Sequence, residues 1–111
     1  MALYRVEVIS SARLEIRALP GNMRQRVLGL LKALSSQPRP DSTKQMDTLN
    51  LGGELPSSIG LYRIRVESWR VVYVVEEDLQ LLTVLTVRKR PPYQYENLRQ
   101  LLSEAIANEG E

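Results

Sequence analysis

An α+β fold follows from three observations. An amphipathic helical pair lies near the N-terminus, a run of hairpin-linked strands comes after it, and 111 residues suffice for two layers packed around one core. The expected order is β-α-α-β-β-β-α, with an antiparallel helical hairpin packed on one face of a small, mainly antiparallel sheet. Residues 1–111 read as a single domain.

The first strand is "LYRVEVI", in which Tyr4, Val6 and Val8 alternate with Leu3, Arg5 and Glu7. "SSARLEIRAL" follows as a helix. Ser10 or Ser11 is its expected cap, and Ala12, Ile16 and Leu19 recur at i, i+4, i+7. Pro20-Gly21 ends it. Asn22 is the expected cap of a longer helix striped by Met23, Val27, Leu30, Leu31 and Leu34. So tight a break between the two predicts a helical hairpin. From Ser35 to Gly60 the chain is polar and rich in Pro, Gly and Ser. It reads as a long connection with a short strand around Asp47 to Leu51, and such loops are more often functional or mobile than inert.

In the next strand Tyr62, Ile64 and Val66 alternate with Arg63 and Arg65. In the one after, Trp69, Val71, Tyr73 and Val75 alternate with Arg70, Val72 and Val74. A two-residue loop at Glu67-Ser68 sets Val66 opposite Trp69 and Arg65 opposite Arg70. Three arginines then share one face, and Tyr62, Ile64, Val66, Trp69, Val71 and Tyr73 share the other. "QLLTVLTVRKR" is a more uniformly apolar, interior strand. Pro91-Pro92 breaks it. "ENLRQLLSEAIA" is a short helix with Leu98, Leu101, Leu102, Ala105 and Ile106 on one side, and the tail after it should fray.

Helices arriving as one hairpin cover one face, so the arginine face is expected to stay open. Directly opposed like charges cost roughly a few tenths to 1 kcal/mol. Either each arginine pairs with Glu67, Glu76 or Glu54 on a solvated surface, or the cluster awaits a polyanion, of which nucleic-acid phosphate is the commonest. Arg88, Lys89 and Arg90 add charge at the end of the third strand, and Tyr93 and Tyr95 follow at once. Rings beside a basic cluster stack on exposed bases for about 1–3 kcal/mol each, or simply pack with the hydroxyl in water.

Composition narrows the chemistry. There is no cysteine and no histidine, which removes the usual zinc ligands and the Ser-His and Cys-His catalytic pairs. An enzyme made of this chain would use Arg, Lys, Tyr, Asp or Glu, or a carboxylate-bound metal. Absence of cysteine fits a reducing cytoplasm, the expected location. Twelve of the 15 basic residues are arginine, although net charge is only +2, and arginine's planar fork suits phosphate. No apolar run reaches the roughly 18 residues of a membrane helix, and "MALYRVEVISS" does not read as a signal peptide.

The run "LYRIRVESWRVVYVVEEDLQLLTVLTVRKR", followed by a tyrosine and a helix, resembles the RelE/ParE superfamily of toxins from type II toxin–antitoxin systems. That pattern has Tyr-basic-apolar-basic on one strand and Tyr-Arg before apolar residues on the next. An apolar strand then closes on an arginine near a C-terminal tyrosine. Trp69 stands here where the pattern has tyrosine. The preceding strand and helical hairpin also fit, so the resemblance spans nearly the whole chain. It implies a RelE-like fold with helices on a curved sheet.

RelE-like members cut mRNA on the ribosome without metal or cofactor, ParE-like members poison DNA gyrase, and inactive relatives act only through antitoxin binding. Arg63, Arg65, Arg70, Arg90 and Tyr95 match the RelE-like catalytic set, and Arg88, Lys89 and Tyr93 are implied to bind substrate. RelE-like chains often carry lysine where Arg63 and Arg65 stand, and arginine hardly loses its proton. The general base is thus open between Asp47, which also reads as a turn residue, and Tyr95. The implied partners are the ribosome, mRNA and a RelB-like antitoxin, a small DNA-binding protein assembling with the toxin into a hetero-oligomer. The Leu98, Leu102 and Ile106 stripe either packs on the sheet or is the antitoxin's target.

Overall fold

Among the described residues five strands pair into one mixed sheet, and two complete helices precede the second of them. In chain order the elements are β1 (Arg5–Val8), α1 (Ser10–Arg17), α2 (Gly21–Leu34), β2 (Thr43–Gln45), β3 (Ile59–Val66), β4 (Trp69–Glu76) and β5 (Leu81–Lys89). The computed structural model describes residues 3–40, 43–45 and 58–89, together with Leu101, Ser103 and Ala105. Strand order is β1-β5-β4-β3-β2. β1 pairs with β5 in parallel, and the other three neighbours are antiparallel. The strand expected at Asp47–Leu51 lies outside the described residues. β2 forms just before it and sets Thr43 opposite Ile64.

The helices begin one step earlier than their serines and asparagine suggest. Ile9 is the N-cap of α1 in extended conformation, with no side-chain cap bond. Its amide bonds Val84 O at 3.2 Å, so the chain leaves the sheet straight into the helix and Ser10 and Ser11 already lie in the first turn. Pro20 likewise replaces Asn22 as the N-cap of α2. The proline ring holds the needed φ, and its carbonyl accepts Arg24 N–H at 2.8 Å. The apolar stripes fall where expected: Ala12, Ile16, Leu19, Met23, Val27, Leu31 and Leu34 are buried. The described residues of the C-terminal segment are helical, and Leu101 and Ala105 join the same core.

The β3–β4 hairpin has the predicted register, with Val66 opposite Trp69 and Arg65 opposite Arg70. Glu67 turns the corner at φ 55°, a left-handed conformation that costs a residue with a Cβ about 1–2 kcal/mol. Its carboxylate meets Arg26 of α2 at 2.6 Å, tying the hairpin tip to the helix. Between β4 and β5 a 3-10 turn spans Glu77–Leu79, and Gln80 follows at φ 49°. Within this pair Tyr73 faces Val84 while Val72 faces Thr86. Leu85 is therefore an extra residue, a β-bulge.

Cross-strand partners share a face, so register divides the sheet. One face, called the helix face, carries Ile64, Val71, Tyr73, Val75, Leu82 and Val87, all buried. The segment after α2 docks there. Tyr73 OH donates to Pro38 O at 2.7 Å and lies 3.1 Å from Thr43 Oγ1. Tyr62 stacks on Tyr73 with centroids 5.9 Å apart, and Arg39 sits over the Tyr62 ring. Tyr4 OH and Arg39 both bond the Glu77 carboxylate.

The opposite face departs from the expectation that it is open. It bears Arg63, Arg65 and Arg70 as predicted, but also Leu61, Val72, Val74 and Leu81, which are buried. Those apolar side chains alternate into the same face as the arginines, and leaving them in water would forfeit about 25 cal/mol per Å² of their surface. The face is graded along its length, basic near the Glu67 turn and apolar toward Gln80.

Candidate active site

The basic end of that face is built by pairing register. Arg65 on β3 lies opposite Arg70 on β4, and Arg70 lies opposite Arg88 on β5. Three guanidinium-bearing positions thus form one row across three adjacent strands. In the next row Arg63 faces Val72, which faces Thr86, and the backbone of Lys44 pairs with Arg63.

Burial grades the row. Arg65 is exposed, Arg63 and Arg88 are half-buried, and Arg70 is 8% exposed. A cation in a low-dielectric setting acts more strongly on a nearby charge than one in water. Arg70 and Arg88 each have an interaction partner. Glu67 is held by Arg26. Glu76 is six residues along β4 from Arg70 and buried, with no hydrogen bond to its Oε2, and burial pushes its pKa above the ordinary carboxylate value. Glu54 lies outside the described residues.

Sequence reading missed one connection. Arg88 Nε donates to Thr86 Oγ1 at 3.0 Å. Thr86 Oγ1 lies 2.8 and 3.0 Å from the two oxygens of Glu15 on α1. Glu15 Oε1 also accepts the Val87 N–H at 3.2 Å. The available signal was Thr86 itself, a hydroxyl in the apolar run "LLTVLTV" that must find a partner once buried.

Not every predicted residue gathers here. Lys89 is exposed and pairs with Trp69, so alternation turns it to the helix face. Arg90, Tyr93, Tyr95 and Asp47 lie outside the described residues, as do Leu98, Leu102 and Ile106. A cavity of about 620 Å³ lies away from the row, where Arg13, Arg17, Arg24 and Leu28 meet β1 and Ala105. None of the predicted site residues lines it.

Comparison with solved structures identifies the architecture. The chain superimposes on RelE in the archaeal RelE–RelB complex from Pyrococcus horikoshii with a TM-score of 0.70, covering 83% of this chain and 99% of that one at 23% identity. This chain has the RelE fold. The RelBE2 toxin–antitoxin complex of Mycobacterium tuberculosis gives a TM-score of 0.62 at 21% identity, over 79% of this chain and 99% of that one. The isolated RelE toxin of E. coli gives 0.57 at 20% identity, over 95% and 97%. No family model matches the sequence, and no curated protein matches it. The RelE fold therefore emerges from backbone geometry where sequence similarity is thin. Among the described residues no helix is long and apolar enough to cross a membrane.

Proposed function

We propose that this chain is the toxin of a type II toxin–antitoxin pair and acts as a ribosome-dependent, metal-independent mRNA endoribonuclease that inhibits translation in the cytoplasm. One observation carries the reading: the row Arg65–Arg70–Arg88 on the RelE fold. A fold hosts many activities, and the row is what favours a phosphodiester target over a purely proteinaceous one. Solved complexes of RelE with RelB support a RelB-like antitoxin as the partner.

In this mechanism the 2′-hydroxyl of one nucleotide attacks the adjacent phosphorus. The bond to the 5′-oxygen breaks, leaving a cyclic phosphate and a 5′-hydroxyl. One proton leaves the 2′-oxygen and one reaches the 5′-oxygen. Negative charge grows on the non-bridging oxygens, where preorganised donors act most strongly. Arg70, the least solvated of the row, suits that clamp with its forked N–H groups, and Arg90 is the second residue proposed for it. Arg63, Arg65 and Arg88 hold the flanking backbone, contacts that position the chain without reading its sequence. Tyr95 stacks on a base and orients the nucleophile, with Tyr93 as a further substrate contact. Arginine does not serve as a base, so proton removal falls to Asp47 or Tyr95. Docking in the decoding site supplies much of the rate by orientation.

Primer extension on mRNA under translation in a purified system tests this. Discrete cuts at the ribosomal A site are expected, falling about 10²–10³-fold in Arg70→Ala and lost in Arg90→Ala, with unchanged melting curves. Intact mRNA with accumulating cleaved DNA–gyrase complexes would instead identify a gyrase poison. Intact mRNA without growth arrest would leave a relative that acts through antitoxin binding alone.

A further inference from the structure

We infer that Glu15 on α1 is a positioning residue for the arginine row, acting on Arg88 through the Thr86 hydroxyl. The inference rests on the phosphate-binding reading above and adds two residues outside the predicted set.

The argument is one of hydrogen counting. A threonine hydroxyl has one proton to donate and lone pairs to accept with. Thr86 is fully buried, and both carboxylate oxygens of Glu15 lie within 3.0 Å of its Oγ1. An ionised carboxylate only accepts, so the Thr86 proton must point at Glu15. The lone pairs then face away from α1, and one of them receives Arg88 Nε–H at 3.0 Å. Glu15 is itself held by the Val87 N–H, the strand amide between Thr86 and Arg88. The carboxylate thus registers α1 against β5 and, through one hydroxyl, sets the plane of the Arg88 guanidinium. Charge-assisted bonds at each end make the chain stiffer than neutral ones would. A forked donor recognises phosphate only when its plane is aimed. The Nε–H bond to Thr86 constrains the plane in which the terminal nitrogens lie. Thr86 shares a row with Arg63, so the relay from α1 ends on the basic face.

Two measurements on the full chain test this. The first is water exchange of arginine Nε–H groups by nitrogen-15 NMR. Arg88 Nε–H should exchange at least about tenfold more slowly than that of an exposed arginine such as Arg24. Thr86→Val should abolish the protection, Thr86→Ser should restore it, and Glu15→Gln should weaken it. The second is binding of a fluorescent single-stranded oligouridine across a KCl series. Thr86→Val should lower affinity about 5–10-fold, Thr86→Ser should match the unaltered chain, and Arg88→Ala/Thr86→Val should be no weaker than Arg88→Ala alone, because coupled residues are not additive. Full protection of Arg88 in Thr86→Val, or losses that add in the double variant, would overturn the relay and leave Thr86 a packing residue. Absence of RNA binding by the unaltered chain would overturn the nuclease reading instead, while the exchange rates still decide the relay.

Discussion

On one face of β4, Val71, Tyr73 and Val75 pack under the segment that follows α2. On the other, Val72 and Val74 lie between Arg70 and Glu76. All seven side chains are less than 10% exposed, so burial alone does not separate the faces. What differs is chemistry. The helix face hides apolar groups and a phenol with two hydrogen-bonding neighbours, as the hydrophobic effect requires. The arginine face hides a cation and a carboxylate on opposite ends of the strand, and desolvating ions costs several kcal/mol each. Apolar replacements would fill the same space without that penalty. The helix face is therefore explained by folding, whereas the hydrophobic effect alone does not account for the buried ions of the arginine face.

The contrast can be broken most directly at Tyr73. Tyr73→Ala should cost about 3–5 kcal/mol in urea unfolding, and a loss below about 1 kcal/mol would mean that the helix face is not the structural one. Glu76→Gln should act the other way, stabilising by about 1 kcal/mol at neutral pH by removing an unsatisfied buried charge. Burial raises the Glu76 pKa from its ordinary 4.5. Its penalty is therefore full above the folded value and fades as pH falls through that value toward 4.5. The gain from glutamine should shrink along the same path, and a pH-independent gain would refute the charge argument.

Arg65→Thr sharpens the comparison by splitting stability from binding. It relieves the apposition with Arg70, so stability should rise by roughly 0.5 kcal/mol. The salt dependence of oligouridine binding should lose about 0.7 in slope, the share of one phosphate contact on a single strand. The smallest effect belongs to Glu77. The Tyr4 hydroxyl bond first, and Arg39 after it, hold its pKa below 4.5. Its contribution is present above that ordinary value and lost as pH falls through the folded one. With 40% of the side chain exposed, solvent screening limits Glu77→Gln to a loss of roughly 0.3–0.5 kcal/mol at neutral pH. Glu76 and Glu77 are adjacent in sequence and should show opposite pH trends.

Much of this was legible beforehand because period and turn chemistry are local. Alternation around Glu67-Ser68 located Arg63, Arg65 and Arg70 on one face, and helical spacing located Ala12, Ile16, Met23 and Val27 in the core. The helix starts were misread because Ile9 and Pro20 enter their helices from a strand bond and a fixed φ rather than a side-chain cap. The cover over Val72 and Val74 was missed because charged neighbours drew the whole face toward solvent. Glu15 and Thr86 are 71 residues apart, and no local pattern links a mid-helix glutamate to a strand hydroxyl. The register of β5 was beyond reach because a turn ending in left-handed Gln80 and an unpaired Leu85 both shift the count.

That unpaired leucine carries more than a local kink. Leu81 and Thr83 point to the arginine face, so an uninterrupted strand would send Leu85, Val87 and Lys89 there and turn Thr86 and Arg88 to the face that bears Tyr73. One inserted residue reverses the parity. Arg88 joins its fellow arginines because Leu85 is left unpaired. By the same parity, a strand lacking Leu85 would keep Thr86 opposite Val72 and Arg88 opposite Arg70, whereas a strand that paired Leu85 in register would take Arg88 out of the row with no change to any basic residue.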